Sequence, residues 1–133
     1  MIPAFNEQGY LPAGIHQATL DEIMERFGGP SELRRVQFES LQWLVELTRR
    51  LGIVRLIVNG SFTTDQWEPN DIDCVLLPSP DFPRDMAALE ELDIGFPYLD
   101  IDVVDHPAFE RITGETFATD GLEIPTGMIE VLR

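Results

Sequence analysis

Two hydrophobic runs joined by a glycine-serine turn and a pair of aspartates constrain this chain more than any other feature. The first run, residues 53–58, leads into Gly60-Ser61, and the second, residues 74–77, follows Asp71-Ile72-Asp73. Short apolar runs bounded by turn residues are typical of buried strands. Residues two apart on a strand share a face, so the two aspartates would lie roughly 6–7 Å apart at the backbone. Hard divalent cations bind through such oxygens, and Mg²⁺ is usually held by one or two carboxylates plus substrate phosphates.

The length and composition predict one domain over residues 1–133, of which 44% are hydrophobic. No apolar run approaches the length of a membrane span, so no membrane association is expected. The first residues lack the basic-then-apolar order of a signal peptide. The lone Cys74 excludes an internal disulfide. These features favour a cytoplasmic protein.

The chain is strongly acidic, with 24 Asp and Glu, nine Arg, no Lys and a formal net charge of −15. Such a charge repels phosphate backbones, so direct DNA or RNA binding is not expected. A small anionic substrate would need metal ions to offset the charge, and a basic protein partner would be attracted. The alternative is that the acidity serves solubility alone.

Local signals predict helices in the first third of the chain. Residues 1–18 are expected to be irregular, because Pro and Gly recur there. A capping box at Thr19-Leu20-Asp21-Glu22 predicts a short helix that ends at Gly28-Gly29-Pro30. Ser31 is expected to cap a longer helix that runs to about Leu51.

The rest of the chain alternates between strands and helices. The pattern predicts strands at 53–58, 71–77, 98–104 and 127–132, a helix at 85–92, and a helical turn at 107–112. The fold class is therefore α/β (α+β), a small mixed β-sheet with helices packed on it.

A third strand carries further carboxylates. Alternation places Asp100 and Asp102 on one face of the strand at 98–104. If this strand pairs beside 71–77, one or both join the first aspartate pair, and facing like charges destabilise a sheet unless a cation lies between them. The alternative is that one of these strands is an edge strand with solvated acids.

The glycine-serine turn fits a phosphate site. A glycine at the end of a strand lets a phosphate approach the backbone, and the amides of the following turn can donate to it. Ser61 and Thr63 supply hydroxyls nearby. A glycine-serine pair alone is a weak signal, and it gains weight from the strand before it and the Asp-x-Asp after it.

These pieces together resemble the polymerase-beta-type nucleotidyltransferase superfamily: Gly60-Ser61, Asp71-Ile72-Asp73, and the later strand Ile101-Asp102-Val103-Val104. In that superfamily the turn holds a nucleoside triphosphate, the first two acids bind two Mg²⁺, and the third helps to activate the attacking hydroxyl. The resemblance implies catalytic and metal-binding roles for Asp71, Asp73 and Asp102, with Asp102 preferred over Asp100. It implies nucleotide binding by Gly60, Ser61 and Thr63.

The wider chain resembles a little-characterised bacterial group of minimal domains of this kind. The resemblance includes the start at residues 2–6 and the ending at residues 121–129, where Thr126 occupies a position expected to be Lys. Some minimal bacterial nucleotidyltransferases act in toxin–antitoxin pairs, which is one context for this chain.

Two functions therefore remain. The first is Mg²⁺-dependent transfer of a nucleoside monophosphate from a triphosphate to a hydroxyl acceptor. The alternative is a non-catalytic, antitoxin-like acidic partner of a basic protein that keeps the fold. A degenerate, inactive relative is a third reading, against which the intact Asp71-Ile72-Asp73 argues.

Overall fold

The structure is a computed structural model that describes residues 2–116 and 126–133. Its strands form one five-stranded sheet in the order β1-β5-β2-β3-β4. β1 pairs parallel with β5 and β3 parallel with β4, whereas β2 is antiparallel to both β3 and β5. The expected mixed sheet with packed helices is confirmed. The strands are β1 Ile15–Thr19, β2 Ile53–Asn59, β3 Ile72–Pro78, β4 Leu99–Val103 and β5 Met128–Leu132; the helices are α1 Leu20–Ile23, α2 Glu32–Leu51, α3 Met86–Ile94 and α4 His106–Arg111.

The N-terminal helices begin and end where their capping signals lie. The Thr19 hydroxyl accepts from the Glu22 N–H, and the Glu22 carboxylate accepts from the Thr19 N–H, which completes the predicted capping box. α1 continues through a π-helical turn to Gly28. Ser31 caps α2, and Gly52 ends it at a φ of +87°, a conformation that glycine adopts readily.

The two faces of the sheet differ. Alternate residues of β2, β3 and β5 pack with α2 in the main core, which includes Leu56, Cys74 and Ile129. The opposite face carries a smaller apolar cluster with Phe109 of α4. Asp73 lies on this second face, because it is two residues before Val75 on β3, and residues two apart on a strand share a face. Val75 pairs with Ile57, and both belong to the smaller cluster. The candidate acids therefore lie on the face that α2 does not cover.

The expectation that residues 1–18 are irregular is wrong for its last four residues. β1 begins at Ile15 and runs beside β5, with Ile15 opposite Met128. The β1 segment Ile-His-Gln-Ala-Thr shows no apolar alternation, so its conformation depends on a partner strand more than 100 residues later. Within the described residues, no helix is long and apolar enough to cross a membrane.

Candidate functional site

β3 holds the aspartate pair at the start of an interior strand. Asp71 lies just before the strand and is exposed, and Asp73 is half-buried within it. The Ile72 N–H between them donates to the Tyr98 carbonyl at 2.7 Å, where the chain enters β4. Tyr98 has a φ of +69°, which is uncommon for a bulky residue. This turn fixes which residue of β4 lies beside Asp73.

The register brings Asp100 next to the pair. Asp100 is directly opposite Asp73, and Asp102 is opposite Val75, one same-face step further along. Both are exposed, because β4 is an edge strand of the sheet. The alternative of an edge strand with solvated acids thus describes β4, although not the interior strand β3. The preference for Asp102 as third acid remains a prediction, and the register places Asp100 closer to Asp73.

A cleft of about 530 Å³ opens over these residues; it is lined by Ser61, Asn70, Asp71, Asp73 and Asp100. Asp102 is not among the lining residues, although its charge reaches Asp73. Burial and, in decreasing order, the negative charges of Asp100, Asp71 and Asp102 together raise the pKa of Asp73 to about 6. The cleft is therefore short of positive charge, and a bound cation would relieve the repulsion between its carboxylates.

The glycine-serine turn forms the wall beside Asp73. Gly60 has a φ of +92°, and a Cβ at this position would lie 2.8 Å from Asp73 Oδ2. A side chain here would be strained and would displace the carboxylate. The Ser61 Oγ accepts from the Asn70 N–H at 2.7 Å, so its hydroxyl hydrogen can still be donated to a ligand. Gly60 and Ser61 thus lie where the sequence predicts a phosphate-binding turn.

Thr63 lies beneath the glycine-serine turn and does not line the cleft. Its side chain is buried, and its hydroxyl lies 3.3 Å from Asn59 Oδ1 and 3.2 Å from the Gly60 carbonyl oxygen. The Asn59 amide in turn donates to Thr126 Oγ1 at 3.5 Å. Thr63 supports the turn from inside, and the predicted nucleotide contact remains a prediction. Residues 121–125 of the ending noted in the sequence lie outside the described residues.

Two buried polar residues of α2 were missed by the sequence analysis. The Arg34 guanidinium donates to the carbonyls of Phe62 at 2.8 Å, Thr64 at 2.7 Å and Gln66 at 2.6 Å. Gln37 Nε2 donates to the carbonyls of Pro69 at 3.0 Å and Asn70 at 2.8 Å. Both residues lie on the same helix face as the apolar stripe of α2. A polar residue at a position where the helical period places an apolar one was the signal that could have identified them.

Most of the arginines are engaged away from the cleft. Arg55 makes a two-pronged ion pair with Glu130 at 2.8 and 2.9 Å, and Arg84 pairs with Asp81 at 2.7 Å. Burial lowers the pKa of Arg34, although Asp65 partly offsets this. No arginine is among the described residues that line the cleft. Any phosphate there would meet backbone amides, hydroxyls and carboxylates.

The oxygen donors of the cleft suit a Mg²⁺ ion that is shared with a substrate. Within the described ranges, no group of three or more His, Cys, Asp or Glu is assembled closely enough to hold a metal ion. The cleft does offer hard oxygen ligands from Asp71, Asp73 and Asp100 together with the Ser61 hydroxyl. This set fits the mode in which one or two carboxylates and substrate phosphates share the ion, rather than an all-protein cage.

The chain has no match among curated proteins or among solved structures. One family model, described as a family of unknown function (DUF6932), matches residues 3–130. This match covers almost the whole chain, including the cleft and the elements that build it, and the chain therefore belongs to that family.

Proposed function

We propose that the protein is a Mg²⁺-dependent nucleotidyltransferase that moves a nucleoside monophosphate from a triphosphate to a hydroxyl acceptor. The observation that carries the proposal is the position of Asp71 and Asp73 beside the Gly60-Ser61 turn in one cleft, with Asp100 opposite Asp73. Carboxylates forced together beside an open turn fit a site that receives a cation with its phosphates.

Each residue has a defined task in this proposal. Asp71 and Asp73 bind the two Mg²⁺, which supply charge neutralisation at the phosphates when bound. Gly60 and Ser61 hold the phosphate chain through backbone amides and a hydroxyl. A third carboxylate, Asp102 from the resemblance or Asp100 from the register, orients the acceptor hydroxyl and takes its proton. Fixed positions of the reacting groups supply much of the remaining acceleration.

The proposal is tested by pyrophosphate release from each of the four ribonucleoside triphosphates with Mg²⁺. The wild type is assayed alone and with basic proteins as acceptors. We expect Asp73→Asn to abolish Mg²⁺-dependent release while the far-UV circular dichroism spectrum stays unchanged. Equal release by the wild type and this variant would exclude catalysis at the cleft.

The identity of the third acid is tested separately. Asp100→Asn and Asp102→Asn remove one charge each from the same edge strand, so each serves as the control for the other. The acid that takes the acceptor proton is the one whose loss lowers kcat by roughly 10²–10⁴-fold. Little change in either variant would exclude a third-acid role for this strand.

A second candidate is a non-catalytic acidic partner of a basic protein, as in an antitoxin. It is supported by the net charge of −15 and by the absence of a cationic side chain among the described residues lining the cleft. Co-purification of a basic partner together with no pyrophosphate release would favour it. Under either candidate we propose a cytoplasmic setting, where Mg²⁺ and triphosphates are available and Cys74 stays a buried thiol.

A further inference from the structure

The loop between the glycine-serine turn and Asp71 is held by side chains of a helix and by the N-terminal segment, where the Asp65 N–H donates to the Gly9 carbonyl at 3.0 Å. Within residues 62–70, a 3₁₀ helix ends at Thr63, Thr64 forms an isolated β-bridge with Tyr10, and the rest is bends and irregular backbone. Arg34 and Gln37 lie one helical turn apart on α2 and donate five hydrogen bonds to carbonyls of this loop. We name these two residues the α2 clamp.

The buried side-chain amide of Gln37 is used to hold the loop. Its side chain is fully buried, and its Oε1 has no hydrogen-bond partner among the described residues. A buried acceptor without a partner lowers stability, and an apolar residue of the same size would avoid that loss. Flipping the amide would place Oε1 against the carbonyl oxygens of Pro69 and Asn70, so the two donated bonds fix its orientation.

The bonds of the clamp end directly beside the site. Gln37 holds the carbonyl of Asn70, the residue before Asp71, and the Asn70 N–H is held by Ser61 Oγ at 2.7 Å. Asn70 is thus fixed at both of its backbone groups, by the helix on one side and by the proposed phosphate turn on the other. Displacement of this residue would move Asp71 and Ser61 together.

We propose that Arg34 and Gln37 are positioning residues, which hold the loop so that Asp71 stays beside Asp73 and the Ser61 hydroxyl stays aimed into the cleft. Neither residue lines the cleft. They act through the backbone of residues 62–70 and not on the ligand. The inference rests on the proposed function for its catalytic consequence, while its structural part stands on the six hydrogen bonds alone.

The test compares Gln37→Met with Gln42→Met. Methionine matches glutamine in length and removes both N–H donors, and Gln42 is an exposed glutamine of the same helix. Backbone hydrogen exchange of the full chain, without metal, is the first measurement. We expect exchange at the Asn70 amide to be roughly tenfold faster in Gln37→Met, because the loop opens locally while β2 keeps wild-type protection. Gln42→Met should match the wild type throughout.

Binding of Mn²⁺ by calorimetry and pyrophosphate release are the second measurements. We expect weaker Mn²⁺ binding and a kcat lowered by roughly 10–100-fold in Gln37→Met, with the triphosphate KM changed far less, because small misplacements of reacting groups act mainly on the chemical step. If Gln37 had only a structural role, Gln37→Met would lower the melting temperature without lowering kcat more than it changes KM.

Failure of the two proposals can be told apart. If the wild type neither binds Mn²⁺ nor releases pyrophosphate, the proposed function fails, and the exchange result alone decides the positioning role. Wild-type exchange at Asn70 in Gln37→Met overturns the clamp whatever the activity. Faster exchange with unchanged Mn²⁺ affinity and kcat overturns the positioning role in an active enzyme.

Discussion

Ionised Asp73 is expected to destabilise the folded protein when no divalent cation is present. Its pKa is raised to about 6 by burial and by the charges of Asp100, Asp71 and Asp102. Asparagine keeps the shape of the side chain and removes the charge. We therefore expect Asp73→Asn, which should be inactive, to be more stable than the wild type at neutral pH.

The magnitude follows from the pKa. The difference between the ordinary value of 3.8 and about 6 is 6 − 3.8, or about 2.2 units. At 1.36 kcal/mol per unit this is about 3 kcal/mol as an upper limit. The side chain is only half-buried, so solvent screening reduces the expected gain to about 1–2 kcal/mol. For a domain of this size that corresponds to a melting temperature higher by roughly 3–8 °C.

The pH dependence has a defined sign. Because the pKa of Asp73 is higher in the folded than in the unfolded state, protonation favours folding. The stabilisation from the proton is fully present below about pH 3.8 and is lost as the pH rises through about 6. The advantage of Asp73→Asn should therefore be largest at pH 7–8 and small near pH 4.

The assay is thermal unfolding in EDTA at pH 4.5 and 7.5, followed by circular dichroism. Asp93→Asn is the matched control, because it makes the same charge change at an exposed position of α3 and so accounts for the relief of general repulsion in a chain of net charge −15. The reasoning is refuted if Asp73→Asn is no more stable than Asp93→Asn at pH 7.5. It is also refuted if the difference does not shrink at pH 4.5.

Three further outcomes follow from the same geometry. Gly60→Ala should lower the free energy of unfolding by about 2 kcal/mol and weaken Mn²⁺ binding in calorimetry. Gly95 also has a positive φ but has open space around it, so Gly95→Ala should lower the free energy of unfolding by only about 1 kcal/mol and bind Mn²⁺ normally. Gly127→Ala should lower the free energy of unfolding by about 3 kcal/mol in urea, because its Cβ would clash with the Pro12 carbonyl oxygen. Gly114→Ala meets nothing within 4 Å and should be nearly neutral. Mn²⁺ affinity should fall as the pH drops through about 6, since the metal and the proton compete for Asp73.

The sequence predicted the mixed sheet and its packed helices because most of the elements carry their own signal. The capping box at Thr19, the cap at Ser31 and the glycine at position 52 mark helix ends locally. β1 carries no such signal, and its conformation depends on distant pairing with β5. Local patterns therefore identify elements that are stabilised locally, and they miss short strands whose partner supplies the structure.

The register of β4 shows the same limit at the candidate site. Alternation places Asp100 and Asp102 on one face, which the structure confirms, but it cannot decide which of them lies opposite Asp73. That choice depends on the turn before β4, where the Tyr98 carbonyl accepts from Ile72 and the backbone adopts a positive φ. A side-chain period of two residues fixes the face of a strand, whereas its alignment with the neighbouring strand is set by loop geometry.

The charge distribution limits what the cleft can bind under either candidate function. The described lining contributes three carboxylates and no cation, and Asp102 adds a fourth charge nearby. An anionic ligand such as a triphosphate can enter only together with metal ions, since the chain has no lysine and Arg34, which contacts the loop, is bound to carbonyls. A basic protein partner would instead bring its own positive charge. Binding under both candidates should therefore weaken with added salt, and only the enzyme should require a divalent cation for it.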